Sequence, residues 1–289
     1  MSWQAYKVVF RLRAPMHIGM GKIGNLQRTR PYVTGRVLWG ALTMRLTRDA
    51  AEGNGAATDT AQYQKVGEQV HKTLAFTYFY PALRLNGDYQ VQWSWEQDTL
   101  FRRRFLSSYQ GTALYYPNQS AAEGMLHEIE FLSPYTLDSK ETVYLLGYIF
   151  EKEGCGLKWQ SSLRRLQLGG ERGYGWGNVE LIEDSKFNQQ ELFGSKAIFI
   201  GTREEPQICL PQNEKRLLAH AWTANLIAGG EIEPLVGREW RSNDSKHKHA
   251  GQYLDFDAVC YSPGSVVLQD CVFKVSRHGV WQAIESAAS

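Results

Sequence analysis

The chain has 289 residues, with 32 Lys+Arg against 30 Asp+Glu and a formal net charge of +2. Its length fits about two domains, and a composition of 43% hydrophobic and 12% aromatic residues supplies packed cores and excludes global disorder. A mean hydropathy of −0.41, with a longest apolar run of about eight residues (Val143–Phe150), argues against a membrane-spanning helix.

In chain order, Tyr6–Arg13 alternates apolar and basic residues and reads as a strand with Val8, Phe10 and Leu12 on one face. Lys7, Arg11 and Arg13 interrupt the apolar stretch that a secretion signal needs. A glycine- and proline-containing loop spans Ala14–Gly35, and Arg36–Arg48 has the apolar spacing of an amphipathic helix. Residues 50–62 are small and polar, an expected flexible insertion. Leu74–Leu85 and Tyr89–Trp95 read as strands joined by a turn at Asn86-Gly87-Asp88. Leu126–Leu132 is a further alternating strand, Ser139–Glu153 and Lys158–Leu166 read as helices, and Asn178–Ile182 as a strand.

A polar segment at Glu183–Gly194 marks the expected boundary between units 1–185 and 186–289. Beyond it, Ala197–Gly201, Glu231–Trp240, Gln252–Tyr261 and Ser265–Val275 read as strands, and Asn213–Ala228 as a helix. The order β-α-β-β-α-β with a shorter echo predicts an α+β protein of two ferredoxin-like units, the second smaller and degenerate. Cys155, Cys209, Cys260 and Cys271 form no C-x-x-C pair, which fits reduced thiols in the cytoplasm better than a disulfide frame or a zinc site.

The near-neutral total hides an uneven distribution. Residues 1–48 carry nine Lys and Arg and no acid, so the remaining 241 residues sum to −7. A single-signed block with Tyr32 and Trp39 among its arginines fits an RNA or other single-stranded polyanion, because cations hold phosphates while rings stack on unpaired bases. Lys22, Arg28, Arg30 and Arg36 are the candidate phosphate contacts.

Gly19-Met20-Gly21-Lys22-Ile23-Gly24 matches G-x-G-x-x-G after a strand, yet Pro31 follows and no acid appears before Asp49, so a dinucleotide site is not expected. Leu168-Gly169-Gly170-Glu171-Arg172-Gly173-Tyr174-Gly175-Trp176-Gly177 concentrates five glycines in nine positions. Gly169, Gly170 and Gly173 give freedom for backbone N–H groups to approach an anion. Arg172 lies beside them, and Tyr174 and Trp176 serve either as stacking rings or as core aromatics. Lys246-His247-Lys248-His249 suggests a phosphate-contacting loop, with Lys246 and Lys248 as its cations, rather than a metal tract. Glu231 with Glu233 and Asp255 with Asp257 are i, i+2 pairs, either paired carboxylates or solvated strand faces. No Ser-His-Asp or G-x-S-x-G signature occurs.

Two of these motifs carry a family resemblance. The strand followed by Pro15-Met16-His17-Ile18-Gly19, the loop through Pro31-Tyr32-Val33-Thr34-Gly35 and the helix with Val37-Leu38-Trp39-Gly40-Ala41-Leu42 resemble the opening of a CRISPR-associated RAMP-superfamily protein. The Leu168–Gly177 segment resembles that superfamily's glycine-rich loop, and the pair is similar to type III effector subunits, above all the one that grips the 5′ handle of the crRNA. The resemblance implies RRM-like units and binding of crRNA through His17, Gly19 and the residues above. It also implies partnership with a large polymerase/cyclase-like subunit and backbone RAMP subunits, and indirect contact with target RNA. No cofactor and no metal are expected. Family members that cut target RNA use an aspartate in the loop after the first strand, where this chain has Asn25 and no acid, so a non-catalytic role is expected. The alternatives are a crRNA-backbone RAMP subunit and an endoribonuclease cutting target or precursor RNA, for which His17 would be the acid/base candidate.

Overall fold

The computed structural model describes residues 2–51, 60–116, 120–239 and 253–284. Strand β1 (Trp3–Leu12) is buried on both faces: Tyr6, Val8, Phe10 and Leu12 enter one core, while Trp3, Ala5 and Val9 enter another. A hairpin of β2 (Gly19–Ile23) and β3 (Leu26–Thr29) precedes α1 (Gly35–Ala50), whose Leu38, Leu42 and Leu46 pack on the first core. Helix α2 (Thr60–Thr73) leads into β4 (Leu74–Phe76), β5 (Tyr80–Leu85) and β6 (Asp88–Val91). The turn between β5 and β6 has Asn86 and Gly87 both at positive φ (52° and 94°), the pairing that a two-residue hairpin turn requires.

Helix α3 (Asp98–Phe105) carries the Arg102-Arg103-Arg104 cluster into β7 (Leu106–Gly111). The short pair β8 (Leu114–Tyr115) and β9 (Ser120–Ala121) follows, then β10 (His127–Leu132) and β11 (Tyr144–Lys152). Helix α4 (Trp159–Leu163) and the glycine-rich loop lead to β12 (Val179–Phe187). The first sheet runs β12-β1-β11-β5-β6, with β4 also on β11, and every neighbour is antiparallel. A second sheet runs β2-β3-β10-β7.

Segment 139–153, expected as a helix, contains strand β11 instead. Leu145 and Ile149 face the first core while Leu146, Tyr148 and Phe150 face the second. A strand buried on both faces is a continuous apolar run, and its spacing also satisfies a helical template. Helices α2 and α3 were not anticipated; α2 is mostly polar and docks through Val70 and through Gly67 beneath the Trp39 ring.

The later residues form β13 (Glu191–Leu192), β14 (Ala197–Ile200), β15 (Gln207–Cys209), β16 (Ala221–Trp222) and β17 (Ala228–Gly229). After them come β18 (Ile232–Glu239), β19 (Tyr253–Tyr261), β20 (Val266–Val267), β21 (Val272–Val275) and β22 (Trp281–Ile284). Eight of these make a sheet of order β13-β14-β15-β21-β22-β16-β19-β18, and β17 pairs with β20. Among the described residues no α-helix lies beyond Leu163, so the expected helix at 213–228 is absent. The reason is burial: Leu217, Leu218, Ala219, His220 and Ala221 are consecutively buried, with no polar face for an amphipathic helix to present. Among the described residues the second half is therefore built of strands, where the expected smaller ferredoxin-like unit would also carry α-helices. The protein is a mixed α+β fold dominated by sheet.

The second core joins the halves. Trp3, Val9, Tyr78, Tyr80, Leu146 and Phe150 of the first half pack with Phe199, Ile208, Leu217, Phe273 and Trp281 of the second. The first sheet is thus a shared wall, with α1 on one side and the later strands on the other. Gly147 sits in the middle of that wall, where an added Cβ would meet the Phe79 ring at 2.6 Å. Gly147→Ala is expected to cost about 1–3 kcal/mol through overpacking, read as a lower urea midpoint at unchanged slope.

Candidate nucleic-acid interface

The glycine-rich loop is laid across the loop that follows β1. The Gly170 N–H donates to the His17 carbonyl (2.8 Å), the Gly177 N–H to the Pro15 carbonyl (2.7 Å) and the Leu168 N–H to the Gly177 carbonyl (2.8 Å). Gly169 (φ +83°) and Gly177 (φ +75°) allow this approach, since added Cβ atoms would lie 2.3 Å from the His17 carbonyl oxygen and 1.8 Å from that of Leu168. Glycine is required there by backbone contact within the protein. The expectation that the glycine N–H groups face an anion is corrected for Gly170, whose N–H is spent internally. Gly173 is exposed, a Cβ added there would meet nothing within 4 Å, and it lies in the 3-10 turn Arg172–Tyr174.

His17 is buried, and its Nδ1 donates to the Glu130 carbonyl at 2.7 Å. That bond fixes the proton on Nδ1 and fastens the loop to β10. His17 therefore lies under the surface rather than on it. Gly19 opens the exposed strand β2, with His17 Nε2 3.4 Å from where its Cβ would stand. The G-x-G-x-x-G run is strand and hairpin turn, with Gly24 at φ +57°, and no helix N-terminus stands over it.

Side chains above this frame divide clearly. Tyr174 is 83% exposed. Trp176 is half-buried, with its ring edge-on to Phe131 (5.1 Å between centroids) and Tyr109 (6.3 Å), so it anchors the loop onto β10 and β7. Arg172 is exposed, its guanidinium 3.6 Å from Met44 Sδ on α1. Tyr109, itself 62% exposed beside Trp176, is an aromatic of this surface that sequence reading missed, because Leu106–Gly111 shows no apolar alternation to mark a strand.

Arg30 and Arg36 are elsewhere. Arg30 is buried and meets Glu233 with both guanidinium nitrogens, at 2.8 and 2.6 Å. Glu233 also accepts from His220 Nε2 (2.8 Å) and Ser262 Oγ (2.9 Å), and His220 Nδ1 lies 2.7 Å from the Tyr78 hydroxyl. Tyr32 stacks on Tyr78 and is held by burial at a pKa of about 12. Burial alone would raise the Glu233 carboxyl, but the hydrogen bonds from Arg30 and His220 hold it well below the usual carboxylate range. Burial lowers the pKa of His220, which favours the neutral ring. Arg36 donates to Asp255 (3.0 Å) and Asp257 (3.2 Å), and Asp257 also accepts from His278 Nδ1 (2.9 Å). The phosphate-contact expectation for Arg30 and Arg36 is thus replaced: both tie the opening segment to β18 and β19. Glu233, Asp255 and Asp257 are neither solvated faces nor a carboxylate pair for chemistry.

The acid-free block is consequently half neutralised from within. Lys7 pairs with Glu183 (3.4 Å), Arg13 with Glu180 (3.2 Å) and Arg45 with Asp49 (2.7 Å), in addition to Arg30 and Arg36. Among the described residues, Arg11, Lys22, Arg28 and Arg48 of that block have no ion-pair partner. Lys22 and Arg28 occupy the β2–β3 hairpin. Lys246 and Lys248 lie outside the described residues.

No protein-family model and no curated protein matches the chain. Among solved structures it is similar to a chain of "Type III-B Cmr-beta bound to cognate target RNA and AMPPnP, state 1", with 11% identity and a TM-score of 0.47 over 90% of this chain and 85% of that one. It is also similar to a chain of Type III-B Cmr-beta bound to cognate target RNA (12% identity, TM-score 0.39, 61% of this chain and 96% of that one). A chain of the apo state gives 11% identity and a TM-score of 0.39 over 62% of this chain and 97% of that one.

Removing one member of the half-buried pair leaves the other uncompensated, so Glu233→Gln is expected to cost about 3 kcal/mol at neutral pH, measured by denaturant unfolding. Because the Glu233 carboxyl is lowered in the folded state, its stabilisation is present above its ordinary pKa of 4.5 and lost as pH falls below it. The difference between wild type and variant should shrink on acidification.

Proposed function

We propose that the chain is a non-catalytic RNA-binding subunit of a type III CRISPR ribonucleoprotein, holding the crRNA 5′ handle and contacting neighbouring subunits in the cytoplasm. The carrying observation is the surface where the glycine-rich loop crosses the loop after β1. It presents Arg172 and Tyr174 outward, and the β2–β3 hairpin, with Lys22 on one face and Arg28 on the other, starts two residues after His17, whose carbonyl accepts from the Gly170 N–H. The order β12-β1-β11-β5, antiparallel throughout, with α1 and α4 in the crossover connections, is that of a split β-α-β ferredoxin-like unit and supports this reading for the first half. The two sequence motifs behind the family resemblance are the two loops that touch.

Binding without cleavage fits the residues. The stretch from Ala14 to Arg48 holds no acid, and the His17 Nδ1 is committed to the Glu130 carbonyl. Phosphate neutralisation falls to Lys22, Arg28 and Arg172, and base stacking to Tyr174, with Trp176 holding the loop in place.

The test is the salt dependence of handle RNA binding by the full chain. Each phosphate contact contributes about 0.7 to the log–log slope on a single strand, so a Lys22→Ala, Arg28→Ala double substitution should lower the slope by about 1.4. Tyr174→Ala should weaken binding by about 1–3 kcal/mol with the slope unchanged. Equal RNA binding at low and high salt would sink the reading. So would turnover of repeat or target RNA by the wild type that His17→Ala abolishes.

A further inference from the structure

The β18–β19 ribbon is patterned inside out. In an ordinary ribbon over a core, apolar side chains face in and charges face out. Here Glu233, Asp255 and Asp257 face the body of the protein, where they meet Arg30 and Arg36. Gly237 faces the same way, and an added Cβ would lie 1.9 Å from the Arg36 guanidinium carbon. The alternate positions carry Ile232, Val236, Leu254 and Phe256, each more than half exposed, and Val259 at 45%. Register makes these a single face: Val236 lies opposite Phe256, Pro234 opposite Val259 and Arg238 opposite Leu254. Contiguous exposed apolar side chains of this extent mark a contact surface rather than scattered exposure.

We propose that this outer face is a docking surface for a different protein chain, one that presents an apolar face with a carboxylate placed against Arg238. It rests on the reading of the chain as one subunit of an assembly. Three observations select this occupant. Ribonucleic acid needs several cations, and this face of the ribbon has Arg238 as its one charge among the described positions. A second copy stacked face to face would bring Arg238 none of Glu233, Asp255 and Asp257, which point inward, so charge complementarity calls for a different chain. Strand addition at the free edge is disfavoured, because β18 carries Pro234, which cannot donate to an added strand, and the β18–β19 register shifts between Leu235 and Val236, with Asp257 the extra residue on β19, which twists the edge. The partner therefore packs on the face and not along the edge.

The experiment places a photo-crosslinking amino acid at Phe256, and separately at Leu254, in the full chain purified with its assembled particle. The expected adduct joins this chain to a different protein subunit, at an apolar segment containing Asp or Glu. A second arm compares particle composition for wild type, Val236→Asp with Phe256→Asp, and Arg238→Glu. The double substitution should lower the amount of that subunit by about tenfold or more, and Arg238→Glu should lower it too, while handle RNA stays bound with its salt slope unchanged. Retained RNA binding also shows that the substituted chain is folded. An adduct to RNA, an adduct to a second copy, no adduct in a particle that contains the other subunits, or unchanged composition overturns the docking surface alone. A chain that purifies without RNA and without other proteins overturns the functional reading with it.

Discussion

Two arginines in the opening segment, each seated on carboxylates from the late β18–β19 ribbon, fix how the molecule is put together. Arg30 meets Glu233 through two hydrogen bonds, and Arg36 bridges Asp255 and Asp257. Taking such groups partly out of water is costly, so the contacts tolerate no loss of a partner. They specify which strand lies where. Around them Tyr32 stacks on Tyr78 and packs at a tilt against Tyr80, and the Tyr80 hydroxyl donates to the Leu218 carbonyl at 2.6 Å, extending the tie into the second half. The same contacts turn Glu233, Asp255 and Asp257 inward and so leave the apolar side chains at the alternate positions outside.

That tie also redraws the electrostatics. A +9 block read from sequence looks like one continuous grip for a polyanion. In three dimensions its arginines serve two purposes, some paired inside the protein and others left to the surface, where Lys22 and Arg28 stand on a hairpin. Several acids of the remaining chain answer the arginines directly. Close pairing cancels the field of both charges beyond a few ångströms, so the surface potential follows the unpaired cations and not the count.

The glycine-rich loop shows a similar division of labour. Gly169 and Gly177 are glycines because backbone passes too close for a side chain, and the N–H groups of Gly170 and Gly177 hold the loop to residues 15–17. What faces outward is carried by side chains: Arg172, Tyr174 and the open backbone at Gly173. Trp176, alternating with glycines exactly as Tyr174 does in sequence, turns the other way to rest on Phe131.

Local pattern alone determined β1, α1, the Asn86-Gly87 turn, β10 and the long β18 and β19 strands, because each depends on alternation, helical spacing or turn chemistry within a few residues. It also singled out the two loops that come to lie against each other. It could not decide β11, where burial on both faces removes the period, or segment 213–228, where the consecutively buried residues 217–221 do the same. Nor could it tell Arg30 and Arg36 from Lys22 and Arg28, since the four share one composition and one stretch of chain. Only the tertiary structure separated them, because an ion pair depends on a partner some two hundred residues away, and no local pattern encodes where that partner will lie.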